Sequence, residues 1–61
     1  MTTQEALSAM RYLTLISVGT KSDTGYIVCV DEAALYAQVR RDYRSMITWE
    51  PLEALSPNWR A

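Results

Sequence analysis

A single cysteine is the residue in this chain best suited to covalent chemistry. Cys29 lies between two valines in the apolar run Tyr26 to Val30. A nucleophilic cysteine needs an accessible, electropositive setting and a nearby base, and the chain contains no histidine. We therefore expect Cys29 to be a buried core thiol. One thiol without histidine also predicts neither an internal disulfide nor a Cys/His zinc site.

Two pairs of carboxylates are close enough in sequence to be considered for acid–base catalysis. Asp31 and Glu32 are adjacent and would point in different directions at the start of a helix, so capping explains them better. Glu50 and Glu53 could share a helix face, but a solvated surface is the simpler interpretation. A phosphate loop of the Gly-Lys-Ser/Thr kind is absent from the sequence. We predict a protein that is not an enzyme and uses no cofactor or metal.

The basic cluster of the chain consists of Arg40, Arg41 and Arg44, with Tyr36 and Tyr43 beside it. Such a cluster could bind nucleic acid, with the arginines on phosphates and the tyrosines stacked on bases. The simpler alternative makes the arginines a solvated face and the tyrosines part of the core. A net charge of −1 gives no general attraction to nucleic acid and favours that alternative. Arginine is also common at protein interfaces, so the cluster could contact an acidic partner.

The length of the chain limits its stability. Its 61 residues make one small domain, residues 1–61, which buries only about 60% of its unfolded surface. Without a disulfide or a metal, such domains usually need tight packing or a partner. The content of 49% hydrophobic and 21% charged residues is that of a globular protein. Apolar runs are too short to span a membrane and the N-terminus lacks a secretory-signal pattern, so we expect a cytoplasmic protein.

The segment from Asp31 to Met46 is predicted to be an amphipathic helix, around which the rest is organised. Asp31 suits the N-cap position, and Leu35, Val39, Tyr43 and Met46 recur at helical spacing. Most other residues of the segment are good helix formers. The basic cluster then falls on the opposite side of the helix, near its C-terminal end, where cations suit the helix dipole.

Shorter elements are predicted on both sides of that helix. Thr2 and Glu5 fit a capping box at the start of a short helix over about 3–10, with a frayed N-terminus as the alternative. Residues 11–18 and 26–30 are predicted strands, joined by a polar loop at 19–25. Residues 47–49 could add a short third strand, 52–55 one helical turn, and 56–58 a turn. The predicted fold is a small two-layer α+β domain of order α-β-β-α-β, an antiparallel hairpin packed on one long helix.

A second sheet face would keep apolar side chains in this arrangement, because neither strand alternates cleanly between apolar and polar residues. The N-terminal helix, the C-terminal tail or another chain could cover it. We expect a homodimer, or a monomer with a standing partner, formed through this face. The predicted partner-binding residues, including the basic cluster, are Tyr12, Ile16, Val18, Tyr26, Val28, Arg40, Arg41, Arg44, Trp49 and Trp59.

The predicted element order, with Asp31-Glu32-Ala33 opening the long helix, resembles that of small phage proteins that inhibit host machines, such as the T7 inhibitor of bacterial RNA polymerase. The likeness covers roughly residues 12–49 and carries over no functional residue. It implies a protein that acts by occluding a partner's site. The predicted function is protein binding, as a phage or mobile-element inhibitor of a host protein. The alternative is a nucleic-acid-binding module that uses the basic cluster.

Overall fold

The computed structural model describes residues 1–41 and 46–57; for residues 20–22 it describes the backbone only. These residues form one α-helix and five antiparallel strands of a single sheet, so the prediction of a small α+β fold is confirmed. The elements are α1 (Thr3–Arg11), β1 (Ile16–Val18), β2 (Thr20–Asp31), β3 (Tyr36–Arg41), β4 (Ile47–Pro51), a 3-10 turn (Leu52–Ala54) and β5 (Leu55–Pro57). The strand order across the sheet is β4-β3-β2-β1-β5.

Helix α1 begins with the predicted capping box. The Thr2 hydroxyl accepts a hydrogen bond from the Glu5 N–H at 3.1 Å, and the Glu5 carboxylate accepts one from the Thr2 N–H at 2.8 Å. The second bond stabilises the ionised form and lowers the pKa of Glu5 from its usual value. Two free N–H groups of the first turn are thereby satisfied, which fixes where the helix starts.

The core lies between α1 and one side of the sheet. Ala6 and Ala9 are the buried residues of the helix, and their small side chains let it approach the strands closely. We call the sheet side that meets this core the inner face and the opposite side the outer face. The buried apolar residues are Ala6, Ala9, Ile16, Val18, Ile27, Ala37, Val39, Leu52 and Leu55.

The long helix predicted over residues 31–46 is wrong, and with it the order α-β-β-α-β. Asp31 does act as a cap: its carboxylate accepts hydrogen bonds from the N–H groups of Ala33 and Ala34, both at 3.1 Å. The Leu35 N–H donates to the Asp31 carbonyl at 2.9 Å, which completes one turn. Leu35 itself has a φ of 60°, in the left-handed region, and there the turn ends. Strand β3 follows at once.

Strand β3 is extended because its neighbours and its burial pattern both require it. It pairs with β2 on one side and β4 on the other, so a helix in its place would leave β4 without a partner and one edge of β2 unpaired. Ala37 and Val39 are fully buried and lie two residues apart, as inward-facing strand residues do. Leu35 and Val39 are four residues apart, a spacing that favoured a helix. The same spacing also equals two periods of a strand.

The first hairpin is tighter than the sequence predicted. Gly19, with a φ of 67°, makes the turn, and β2 already begins at Thr20, so the predicted loop at 19–25 is mostly strand. The predicted strand at 11–18 is reduced to Ile16–Val18, because α1 continues to Arg11.

The elements after β3 were predicted more accurately. The predicted third strand is confirmed as β4, which continues to Pro51. The helical turn is confirmed at Leu52–Ala54. Ser56 and Pro57, predicted as part of a turn, instead belong to β5, which pairs with β1.

Replacing Leu35 with glycine should give a more stable protein than replacing it with alanine. Both changes remove the same exposed side chain, but an L-residue pays roughly 1–2 kcal/mol to adopt this φ and glycine does not. Glycine also makes the unfolded chain more flexible, so we expect a net difference of about 0.5–1 kcal/mol in the free energy of unfolding. Urea unfolding of the two variants measures it, and equal stability would argue against the left-handed turn.

Candidate docking surface

Alternate residues of β2, β3 and β4 present their side chains on the outer face. The strand register places Arg40 between Tyr26 and Ile47 across the sheet, and Gln38 between Cys29 and Trp49. Neighbouring strands are about 4.8 Å apart, so side chains in such a row can touch. The outer face of these three strands includes Tyr26, Val28, Cys29, Asp31, Tyr36, Gln38, Arg40, Ile47, Trp49 and Pro51.

Large apolar side chains of this face are open to solvent. Val28 and Tyr36 are each 42% exposed, Ile47 is 49% exposed and Trp49 is 50% exposed. A lone exposed apolar residue is ordinary on a protein surface, but several on one sheet face form a continuous patch of the kind that marks an interaction site. This patch is the candidate functional site.

A β-bulge in β2 contributes to the patch. Ile27 pairs with Val39 and Cys29 pairs with Gln38, so Val28 is one extra residue without an opposite partner. Ile27 faces the core, whereas Val28 and Cys29 are both exposed. The prediction that Cys29 is a buried core thiol is therefore wrong, because the bulge reverses the alternation that the sequence implied.

The basic cluster is divided between the two faces. Arg40 and Arg41 are consecutive in a strand, so their side chains point to opposite sides of the sheet. Arg40 is on the outer face and is exposed. Arg41 is on the inner side, so the predicted basic helix face does not exist. Arg44 lies outside the described residues.

Arg41 holds together a polar network at the edge of the inner face. Its guanidinium forms ion pairs with Asp23 on β2 and with Glu50 on β4, the latter at 2.8 Å, and lies 3.3 Å from the Thr48 hydroxyl. That hydroxyl donates to the Glu50 carboxylate at 2.9 Å. Hydrogen bonding to Asp23 raises the pKa of Arg41, burial opposes this rise, and Glu50 adds to it. The network ties three strands together and is structural.

The remaining predicted site residues are only partly brought together. Ile16 and Val18 belong to the core under α1, so their prediction as partner-binding residues is wrong. Tyr12 is 69% exposed, but it follows α1, with the Arg11 guanidinium 5.6 Å from the centre of its ring, and it is not on the sheet. Tyr26, Val28, Arg40 and Trp49 do share the outer face. Trp59 lies outside the described residues.

Sequence reasoning missed Tyr36 and Ile47 as parts of the surface. Tyr36 was considered only beside the basic cluster of a helix, although Tyr36, Gln38 and Arg40 alternate with the smaller or apolar Ala37 and Val39 at the strand period. That alternation was the available signal. Ile47 was placed in a strand, but its face could not be assigned without the register to β3.

A groove of about 580 Å³ extends the surface at one end, between the start of α1 and the turn at Leu35. Tyr36 and Pro51 belong both to this groove and to the outer face. The Met1 amino group closes part of its wall by donating to the Leu52 carbonyl at 3.0 Å.

Residues 1–41 and 46–57 contain no group of three or more Cys, Asp or Glu residues that could hold a metal ion. Within the same ranges, no helix combines the length and the apolar content needed to cross a bilayer. Comparison with protein-family models, curated proteins and solved structures found no match to this chain.

Replacing Arg41 with methionine should destabilise the fold, and replacing Arg40 with methionine should not. Arg41→Met removes the cation that Asp23 and Glu50 share in a largely buried place, which should cost about 1–3 kcal/mol. Arg40→Met alters an exposed position and should stay within about 0.5 kcal/mol. Urea unfolding checks both, and equal losses would contradict the opposite orientations of the two side chains.

Cys29 should react with a thiol reagent in the folded protein. Its side chain is exposed, so labelling should proceed at a rate close to that of the urea-unfolded chain. Cys29→Ser should leave the free energy of unfolding within about 0.5 kcal/mol of the parent value. A thiol that reacts only after unfolding would restore the sequence-based prediction of a buried cysteine.

Proposed function

We propose that this protein is a non-enzymatic binding protein that docks on another protein through the outer face of its sheet. The observation that carries the proposal is the set of exposed apolar side chains, Val28, Tyr36, Ile47 and Trp49, which share the outer face with Arg40. No element in the described part of the chain covers this face. α1 lies on the other side of the sheet.

The composition of the face supports protein binding. Tryptophan, tyrosine and arginine are the residues that most often dominate the binding energy of an interface. Here they stand on a rigid, paired sheet, so little conformational freedom is lost when a partner binds. Within residues 1–41 and 46–57 the Arg40 side chain forms no ion pair. A matching partner surface would be apolar with a carboxylate opposite Arg40.

The size of the molecule limits how it would act. A standard interface takes about 800 Å² from each partner, close to one fifth of the 4216 Å² of accessible surface here. One such contact occupies most of one side of the domain. The protein would therefore act by covering a site on its partner, inside the cell, without cofactor or chemistry of its own. The phage resemblance adds no support, because it depended on a helix after Asp31 that the structure replaces with β3.

Nucleic-acid binding is the alternative. It is favoured by exposed Trp49 and Tyr36 on the same face as Arg40, since such proteins combine aromatic side chains that stack on bases with cations that bind the backbone. It is the weaker candidate because Arg41 is committed to Asp23 and Glu50 on the other face. The described outer face then offers one cation for the phosphates, and phosphate contacts supply much of the affinity in such complexes.

Trp49→Ala should weaken binding to the protein partner strongly, and Tyr12→Ala should leave it unchanged. Truncating a central tryptophan costs about 2 kcal/mol or more, a loss of at least roughly 30-fold in affinity. Tyr12 is an aromatic residue away from the sheet that is at least as exposed as Trp49, and it serves as the matched control. Quantitative capture from cell lysate with the parent and both variants identifies the partner, and titration of the purified partner gives the affinities.

Equal binding by the parent and Trp49→Ala would refute the proposed face. Titration of a single-stranded oligonucleotide at several salt concentrations tests the alternative. A logarithmic salt slope of about −0.7 for each neutralised phosphate, reduced by Arg40→Ala, would favour nucleic-acid binding.

A further inference from the structure

Strand β4 lies at one edge of the sheet, and its free backbone groups can be identified. In an antiparallel pair, residues that exchange hydrogen bonds alternate with residues that do not. Just outside the two ends of the β3–β4 pairing, the Leu52 N–H donates to the Leu35 carbonyl at 2.9 Å and the Arg41 N–H to the Met46 carbonyl at 3.1 Å. These two bonded pairs determine which of the pairs between them are hydrogen-bonded, because every second pair is. Counting inward from either end, the backbone groups of Thr48 and Glu50 bond to β3.

Ile47 and Trp49 consequently turn their N–H and C=O groups away from the sheet. Pro51 is the next outward residue and has no N–H, so the free edge of β4 offers two donors. No strand in the described chain pairs with this edge. The opposite edge, β5, is only three residues long and ends at Pro57. Proteins usually protect a long edge with a lysine, a proline or a bulge. Pro51 protects one end of β4, and an isoleucine and a tryptophan occupy the other two outward positions.

We propose that β4 pairs antiparallel with β4 of a second copy, about a two-fold axis that passes through Thr48. In this register Ile47 of each copy lies opposite Trp49 of the other. Both outward N–H groups of each copy then find an outward carbonyl, giving four hydrogen bonds between the copies. The two sheets become one continuous sheet of ten strands.

The side chains and charges of β4 favour a second copy as the occupant. Ile47 opposite Trp49 is a β-branched residue against an aromatic one, and threonine opposite threonine is also favourable; the first pair occurs twice by symmetry. No like charges meet, because Glu50 falls opposite Met46 of the other copy. Glu50 is in any case already paired with Arg41 of its own chain. A register centred on Glu50 would instead place two carboxylates together.

The contact is small, so the dimer should be weak and depend on concentration. Pairing of two five-residue strands buries less than the roughly 1,200 Å² of a stable standard interface. The inference goes beyond the docking face, since it uses the backbone edge of β4 and Thr48, whose side chain is on the inner side of the sheet. Dimerisation can therefore fail while docking holds.

Opposite charges introduced at Thr48 test the two-fold register. In the proposed dimer the two Thr48 side chains face each other with Cβ atoms about 5 Å apart. Thr48→Lys and Thr48→Glu should each weaken self-association at least tenfold in low salt. An equimolar mixture of the two variants should recover association to near the parent level. Sedimentation equilibrium of the purified proteins up to millimolar concentration measures all four samples.

A parent protein that stays monomeric over that range overturns the proposal, and so do Thr48 variants that associate as strongly as the parent. Recovery in the mixture supports the proposal, because opposite charges at residue 48 restore association only if the two residues 48 lie close together. A mixture that associates as weakly as the single variants overturns it. If either charged variant fails to fold by circular dichroism, oxidation of the Cys29→Ser, Thr48→Cys double variant decides the question. It should form a disulfide-linked dimer, whereas Cys29→Ser with Ser56→Cys, an exposed site on β5, should not. Absence of the Thr48→Cys dimer overturns the inference.

Discussion

The pairing of β3 on both sides is the constraint on which the rest of this molecule depends. β3 is the strand through which β4 joins the sheet, and it supplies Ala37 and Val39 to the core and Tyr36, Gln38 and Arg40 to the opposite surface. Its backbone groups have partners on both edges, so the segment gains more from extension than its helix-forming residues would gain from coiling. Tertiary pairing here outweighs local propensity.

The second constraint is that one short helix can cover only one side of a five-stranded sheet. α1 contributes two alanines to the core, and its capping box holds its start in place without a large apolar contribution. The ion pairs of Arg41 also stabilise the edge of the sheet, because they link β2, β3 and β4. Since α1 covers only the inner face, the outer face keeps aromatic and aliphatic side chains in contact with water.

The predictable parts of the fold were those controlled by local chemistry. The capping box at Thr2 and Glu5, the turn at Leu52 and the cap formed by Asp31 depend on neighbours within four residues. The strand at Ile47 was predicted from its β-forming residues, although it is held by pairing with β3. The failures at 31–46 and at Cys29 depend on pairing between distant residues. A helical spacing of four cannot be distinguished from two strand periods when the intervening residues are small, as Ala37 is.

The type of candidate site was easier to predict from the sequence than the residues that form it. Surplus apolar surface on a second sheet face follows from composition and strand pattern, and Val28 and Trp49 were placed on it. Ile16 and Val18 were assigned to that surface because the side of the sheet that takes a helix cannot be read from one strand alone. Arg40 and Arg41 were predicted to lie on one helix face, but as consecutive residues of a strand they point to opposite sides of the sheet.

The bulge at Val28 acts as a phase shift within β2. Before it, odd-numbered residues such as Ile27 face the helix; after it, the even-numbered Val30 lies opposite buried Ala37 and does so instead. The strand thus serves the core on both sides of the shift while presenting two successive residues outward. Changes at positions 28 and 29 are therefore decoupled from core packing, so this part of the surface can vary in sequence while the scaffold beneath it stays the same.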